Sequence, residues 1–548
     1  MLKFINYKWI LTMMFIVMGS SSCKKDFLTK LPPTSLPPEQ ALASEVDLQT
    51  ALRGAYAGLR TVDYFGRTTP LIGDLMADNA YVSLTNTGRY TVYNTLTYTA
   101  GDGNATGFWR GAYTAILRAN NIINSTITAN ANVNQYKGEA YAIRALCYFY
   151  LVRFYARPYT DDPNALGVPI VLTYDPTGLP TRNKVSEVYT QIISDLNQAY
   201  SLMTQFTNST QFSKYAAKAL LAKVYLTMGD MGNAKTAALD VINNSGFTVV
   251  SAAGYVTYWA GLLPRTDKLE TLFEVSSDAT ANSGFDGLAN IYNQTGYGDM
   301  LPSSDFFPAV VFQAAPTGGT TAQGIVNIAG GAVTSVTITN GGAGYTTAPT
   351  VYFTVPSPTG AVTAAGTAVL TGGAVTSVTI TNPGTGYSQI LAVGDARRNV
   401  YGWILKGGVP VLHVNSKYPG TFGGDISDTK ILRMSEMYLI AAEASLPGDE
   451  PGALTYVNYI TSRRNAAAIV SSGAQLFEDI ITERRKELAF EGDRLMDLNR
   501  LKRNITRSQN YPSSARDIQY SNNRRILGIP QAELDANLNI RSQQNPGY

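Results

Sequence analysis

Apolar side chains recur three and four positions apart along most of the chain. Over 136–155, Ala140, Ile143, Cys147, Tyr150, Leu151 and Phe154 fall on one face, a spacing that predicts an amphipathic helix. Cys147 lies inside that stripe and reads as a packing residue, not a reactive thiol. The stripe recurs over 213–228 through Ala217, Leu220, Leu221, Val224 and Tyr225. Residues 229–233 read as a Gly-Asp turn, and Ala234, Ala237, Ala238, Val241 and Ile242 form a second stripe. Comparable stretches at 45–60, 107–125, 185–203, 431–444, 452–465 and 476–501 predict a mostly helical body with long loops.

The pattern changes after Asp305. From 306 to 394 there is no Asp, Glu, Lys, Arg or His, and Gly, Thr, Val and Ala dominate. Residues 330–340, Gly-Gly-Ala-Val-Thr-Ser-Val-Thr-Ile-Thr-Asn, recur as 372–382, and Tyr345 recurs as Tyr387. Alternation of Val333, Ser335, Thr337 and Thr339 against Thr334, Val336 and Ile338 is a strand pattern. Asn-Gly-Gly and Asn-Pro-Gly mark turns. Residues 313–393 therefore read as a small all-β insert with two internal repeats. The helical hairpin at 213–242, with small residues at its close-packing positions, looks like a tetratricopeptide (TPR) unit, although no strict period runs through the helices.

Composition removes several functions. The 548 residues include 43 basic and 40 acidic side chains, a balance unlike that of a nucleic-acid binder. One histidine, His413, and two cysteines, Cys23 and Cys147, argue against zinc modules, a disulfide framework and a histidine triad built elsewhere. Binding proteins and carboxylate-based hydrolases remain. At the N-terminus, Lys3 and Lys8 precede an apolar run, 9–18, too short to span a bilayer but suited to a signal peptide. Gly19, Ser20, Ser21 and Ser22 then lead to Cys23. This order resembles a bacterial lipoprotein signal, with Ser20 where such signals usually carry Leu. It implies cleavage after 22, acylation of Cys23, and a tether from 23 to 40.

No constellation reads as catalytic, and no cofactor or metal site is expected. Glu483, Glu487 and Glu491, at i, i+4 and i+8, share one helix face, but Arg484, Arg485, Lys486 and Arg494 interleave them. An ion-pair network extended by Asp497 and Arg500 is expected in place of glycosidase carboxylates. His413 sits in a strand-like segment without HExxH or GxSxG and reads as structural. Asp161, Asp162, Asp74 and Asp78 lack EF-hand spacing. The 34 tyrosines, against 19 Phe and 4 Trp, are more suggestive. A ring face with a polar tip suits stacking on a sugar. Tyr64, Tyr81, Tyr90, Tyr292, Tyr297 and Trp403 fall in loop-like stretches and are the candidate ligand-binding residues.

Gly138-Glu139-Ala140, Arg144-Ala145, Tyr148-Phe149, Leu151-Val152 and Tyr155 resemble the central signature of the SusD/RagB family of outer-membrane nutrient-binding lipoproteins. Gly167-Val168-Pro169, Glu187-Val188-Tyr189 with Asp195-Leu196, and Leu432-Arg433 with Glu436 through Ile440 and Ala442-Glu443-Ala444 follow in order. So do Glu483 through Leu488, Glu491-Gly492-Asp493-Arg494, Asp497-Leu498, Ile529-Pro530-Gln531 and the close at Tyr548. The resemblance implies a mainly α, TPR-containing SusD-like fold with long loops, interrupted by the small all-β insert. It divides the chain into signal 1–22, tether 23–40, helical body 41–312, insert 313–393 and a C-terminal part 394–548 that completes the body. It further implies a non-catalytic, lipid-anchored cell-surface protein of the outer membrane. Such a protein captures an oligosaccharide, or a peptide in some relatives, and passes it to a TonB-dependent SusC-like transporter. A peptide binder, a glycosidase built from distant loop carboxylates and an adhesion role centred on the insert are the alternatives.

Overall fold

The structure, a computed structural model, describes residues 42–261, 264–420 and 427–548. The expected signal 1–22, Cys23 and the tether to residue 40 lie outside the described residues. The longer helices are α1 Glu45–Leu59, α2 Thr68–Leu75, α3 Gly103–Ile123, α4 Ala131–Tyr155, α5 Val185–Leu202, α6 Lys214–Met228, α7 Met231–Asn244, α8 Met434–Ala444, α9 Glu450–Arg463, α10 Gly473–Leu488 and α11 Arg494–Arg500. Their ends follow from local chemistry. The Asn130 side chain accepts from the backbone N–H of Asn132 and Val133 at the start of α4, and Ser213 caps α6 in the same way. Gly229, at φ +80°, ends α6, and Asp230 caps α7, which makes the hairpin turn. Helix α4 differs from its expected one-sided stripe. Nearly every residue from Gly138 to Tyr155 is buried, including Cys147. Its polar positions are paired internally, Arg144 with Asp195 at 2.6 Å and Arg153 with Asp493 at 3.1 Å. Burial pushes the Cys147 thiol up to about 12, as befits a packing residue.

The described strands form small two-stranded sheets. The strands of three or more residues are β1 Ala80–Val82, β2 Thr271–Val275, β3 Met300–Pro302, β4 Val310–Phe312, β5 Gln323–Ala329, β6 Ala332–Asn340, β7 Val351–Phe353, β8 Ala365–Thr371, β9 Ala374–Asn382, β10 Tyr401–Lys406, β11 Val409–Val414 and β12 Thr429–Arg433. Antiparallel β2 and β12 are buried along their whole length and lie against the helices. Everything between Val275 and Thr429 is thus an excursion from one buried ladder. Within it the repeats form the matching hairpins β5–β6 and β8–β9, each with two register shifts at the same places. Each repeat is pinned by its tyrosine. The Tyr345 hydroxyl accepts from Ala322 N and donates to Gln313 O; the Tyr387 hydroxyl accepts from Ala364 N and donates to Thr354 O. Val310, Phe312, Val326, Val333, Val336, Phe353 and Val375 make a hydrophobic cluster of their own, separate from the main core.

Two expectations need correction. Residues 431–433 are strand, not helix, because they complete the buried ladder with β2. The expected helix 476–501 is broken into α10 and α11 at Phe490 (φ +67°) and Gly492 (φ +86°). The break follows from a close backbone approach: a Cβ on Gly73 would lie 2.0 Å from Gly492 O. That approach lets Gly492 N donate to Asp74 Oδ2 at 2.7 Å. Glu491 therefore leaves the helix face of Glu483 and Glu487.

The three glutamates nonetheless meet one buried network. Glu487 receives Arg464 at 2.7 and 2.9 Å, Arg433 at 2.9 Å and Arg397 at 3.3 Å. Glu491 pairs with Arg433 and Lys417, Glu483 with Arg397 and Lys486, and Glu270 with Arg433 and Arg464. The partners come from remote chain positions, so the network is tertiary and not the helix-surface pairing expected. Burial alone would raise the Glu487 carboxyl, but Arg464 and Arg433 outweigh it and hold the group well below the ordinary carboxylate range. Removing one partner of such a network leaves buried charges uncompensated. We expect Glu487→Gln to lower unfolding stability by about 3–5 kcal/mol; a loss under about 1 kcal/mol in urea titration would contradict the network's role.

Glu139 behaves oppositely. Burial raises its carboxyl to about 7, although the Tyr56 hydroxyl and Gln135 both donate to it. Burial also brings Asp74 to about 7. A raised carboxyl binds its proton more tightly in the folded state, so its contribution falls as pH rises from about 4.5 towards 7, by up to about 1.4 kcal/mol per unit. Thermal unfolding across that window should show a descending limb that Glu139→Gln makes shallower. Parallel profiles for the two proteins would remove Glu139 from this account.

Candidate functional site

Chain segments far apart in sequence build one cleft of about 680 Å³. Its floor is apolar: Tyr81 of β1, Leu301 of β3, Val411 of β11 and Tyr511 form a small hydrophobic cluster with Ile404. Tyr81 lies opposite Leu301 in the β1–β3 ladder, and the Tyr81 and Tyr511 rings are 5.9 Å apart. The rim is polar and comes from the loop after β1 (Ser83, Thr85, Asn86), the β10–β11 turn (Lys406) and the segment after 508 (Gln509, Asn510, Arg516).

Each wall is held by bonds that the sequence pattern does not display. The β1 loop is tied down where Thr87 N and Oγ1 donate to the buried Asp299 carboxylate. Asn86 Nδ2 donates to Ser83 O at 2.6 Å. The hairpin turn is formed by Gly407 and Gly408, at φ +60° and +79°, where a side chain would be strained. Lys406 reaches from this turn to Gly298 O and Gln294 Oε1. The C-terminal wall hangs on Arg507, whose guanidinium donates to Leu75 O, Met76 O, Ala77 O, Asn94 O and Ala515 O. The Tyr511 hydroxyl donates to Ala80 O, one residue before Tyr81. The insert meets this wall: Gln509 N donates to Ser357 O at 2.7 Å, its side chain donates to Pro356 O, and Val355 lines the cleft.

The six aromatic candidates are not brought together. Tyr64 and Tyr292 are closed into the core, Tyr292 stacking on Tyr418 at 5.7 Å, so neither offers a ring face to a ligand in this conformation. Tyr90 is also buried and accepts a 2.7 Å bond from Arg67 Nε. The Tyr297 ring is covered by Arg89, 3.7 Å from its centroid. Trp403 and Ile404 project to opposite faces of β10; Ile404 packs against the hydrophobic cluster that floors the cleft and Trp403 packs on the main core. Tyr81 is the candidate that lines the cleft. It is 5% exposed, and among the described residues no group hydrogen-bonds its hydroxyl. Burial raises its phenol, so the group stays protonated and able to donate.

Tyr511, Gln509, Asn510, Arg516 and Lys406 escaped the sequence reading. For Lys406 a signal existed, the Gly-Gly pair between two β-branched runs, which marks a hairpin. The 509–516 segment carries no periodicity that places it beside Tyr81. His413 pairs with Gly402 across the hairpin and is partly buried, and burial lowers its pKa. A second cavity of about 830 Å³ lies between α3, residues 169–180 and the C-terminal segment. Its aromatic polar groups are already engaged, Trp109 Nε1 by Glu533 and the Tyr113 hydroxyl by Pro169 O. The Tyr81 cleft is therefore the better candidate for polar recognition.

A family model described as "Starch-binding associating with outer membrane" matches residues 26–226, and the SusD family model matches residues 341–548. SusD-like protein P2 of Formosa agariphila is 34% identical over 244 residues, which is 43% of this chain and 46% of that protein. The chain thus matches about half the length of its curated relatives. A SusD superfamily structure from Bacteroides thetaiotaomicron is 27% identical, covers 92% of this chain and 100% of its own, and superimposes with a TM-score of 0.71. Another, from Bacteroides vulgatus, is 24% identical over 92% of this chain and 99% of its own, with a TM-score of 0.72, and shows the same fold. Two family models at the two ends of the chain, the helical body with its small sheets, and these superpositions agree that the chain belongs to the SusD/RagB family.

Proposed function

We propose that this protein is a non-catalytic, glycan-capturing lipoprotein of the outer-membrane surface, and that the Tyr81 cleft is where it holds its ligand. The reading includes acylation of Cys23, a signal 1–22, a tether 23–40 and a body 41–312 and 394–548 around a separate insert 313–393. It also includes delivery of the captured oligosaccharide to a TonB-dependent SusC-like transporter. The observation that carries it is the cleft's chemistry. An apolar floor with an unpartnered phenol, ringed by hydroxyl and amide groups, matches a sugar's apolar ring faces and hydroxyl edges.

The same lining speaks against turnover. It contains no Asp or Glu, whereas glycoside hydrolysis uses a pair of carboxyl groups flanking the bond. Glu483, Glu487 and Glu491 are each held in ion pairs away from solvent. The family model's printed description, starch binding in association with the outer membrane, supports both the ligand class and the location.

The test is calorimetric titration with oligosaccharide and peptide panels, with an assay of the same mixtures for new reducing ends. Oligosaccharide binding without breakdown is expected. Tyr81→Phe, which deletes only the hydroxyl, should weaken it by about fivefold or more with an unchanged melting temperature. Peptide binding in place of sugar binding would move the protein to the peptide-import branch of the family. Release of reducing ends that one acidic substitution abolishes would replace capture with catalysis.

A further inference from the structure

The charges at the cleft are one-sided. Its lining includes Lys406 and Arg516 and no carboxylate, although the chain as a whole is nearly balanced at +3. Neither cation forms an ion pair among the described residues. Lys406 donates to Gly298 O and Gln294 Oε1, both neutral, and an ammonium has three protons to give. The acid that bears on it electrostatically is Asp299, which is buried and already holds Thr87 N and Oγ1. Arg516 donates to Tyr511 O, Gln509 O and Thr359 Oγ1, again all neutral, and a guanidinium has five N–H groups.

Several buried cations of the fold are treated differently, although Arg182 and Arg525 likewise donate only to neutral groups. Lys223, Lys417, Lys430, Arg433 and Arg500 are buried against carboxylates. Arg507 has no carboxylate partner but is closed off by the backbone carbonyls that hold the cleft wall. Lys406 and Arg516 are instead partly buried, keep N–H groups unused and border open space. Partial burial without a paired carboxylate disfavours the charged form, and burial lowers the Lys406 pKa more than Asp299 raises it. An anion entering the cleft would relieve that penalty and meet donors already in place.

We infer that the ligand of this cleft is an acidic oligosaccharide, one bearing carboxylate or sulfate groups, recognised by Lys406 from the hairpin wall and Arg516 from the C-terminal wall. The inference rests on the glycan-capture reading and adds the chemical class of the glycan. It also gives the insert a part in specificity. Thr359 accepts from Arg516, while Pro356 and Ser357 hold Gln509, so the link between the two repeats fixes the cation's side of the cleft.

The experiment uses protein isolated from cells expressing the full chain. It is titrated with length-matched galactan, glucan and mannan oligosaccharides in three forms: unsubstituted, sulfated, and with uronate in place of the neutral sugar. At least one acidic form should bind about tenfold or more tightly than its neutral counterpart. Its affinity should fall as salt is raised from about 0.05 to about 0.5 M. The sulfated and uronate arms separate the two sources of negative charge. Lys406→Gln and Arg516→Gln should each cost about tenfold towards the acidic form and clearly less towards a neutral one, so the acidic-to-neutral ratio falls, with an unchanged melting temperature. Lys406→Arg should retain most of the binding, which separates loss of charge from disturbance of the hairpin. Equal binding of neutral and acidic forms, or full binding of the acidic form by both glutamine variants, overturns the inference and leaves glycan capture standing. Peptide binding alone, or no binding across the panel, overturns glycan capture and the inference with it.

Discussion

One carboxylate organises the distant parts of this fold. Glu487 gathers Arg397, Arg433 and Arg464, which arrive from the end of the insert excursion, from β12 and from the end of α9. Placing so many charges in the interior is expensive, and their mutual attraction compensates only when the geometry is met throughout. A hydrophobic contact tolerates sliding; a guanidinium that must reach two carboxylates at hydrogen-bonding distance does not. The network is therefore a constraint on register. It sets how β12 lies on β2 and how the chain re-enters the body after its long excursion.

The same helix pair positions the cleft. Arg485 of α10 donates to Asn79 Oδ1 at 2.8 Å and to Asp78 O at 3.0 Å, and Arg494 of α11 grips the Asp78 carboxylate at 2.7 and 2.8 Å. Asp78 and Asn79 lead directly into β1, which carries Tyr81. The break between α10 and α11 makes this possible, since the Gly73–Gly492 approach brings α2 against the turn and α2 leads into the same segment. Arg507 then closes the opposite side by saturating the carbonyls at the end of α2. The cleft surface is thus assembled from segments with little regular structure of their own, fixed by buried arginines. Rigid support of that kind suits recognition without chemistry, where the gain lies in presenting polar groups already oriented.

The insert shows how a large addition is accommodated. Its two repeats form a separate hydrophobic cluster, each closed by a tyrosine bridging two backbone groups, and its end, Ile390 and Leu391, packs on the main core. It meets the body at the 509–516 wall. An uncharged module joined beside the cleft alters the neighbourhood of that cleft without supplying a charge to the ion-pair network that holds the body together.

Much of the scaffold was legible from local pattern. The stripes at 213–228 and 234–242, the Gly229 turn between them and the repeated β-branched hairpins all depend on interactions within a few residues, which periodicity records. The ordered motifs from Gly138 to Tyr155, from Leu432 to Ala444 and from Glu483 to Leu498 carried the family resemblance. The site was not legible in the same way. Tyr64, Tyr90 and Tyr292 sit in connections that looked open, and only packing against remote segments decided that their rings are covered. Glu483, Glu487 and Glu491 looked like one face of a helix until Gly492 met Gly73 and Arg397, Arg433 and Arg464 supplied partners from elsewhere. Tyr81 and Tyr511 are far apart along the chain and adjacent in space, and nothing in either neighbourhood specifies the other. A one-dimensional pattern determines which face of an element is buried; which elements then meet, and which cations are left facing open space, is decided by long-range packing that only the tertiary structure contains.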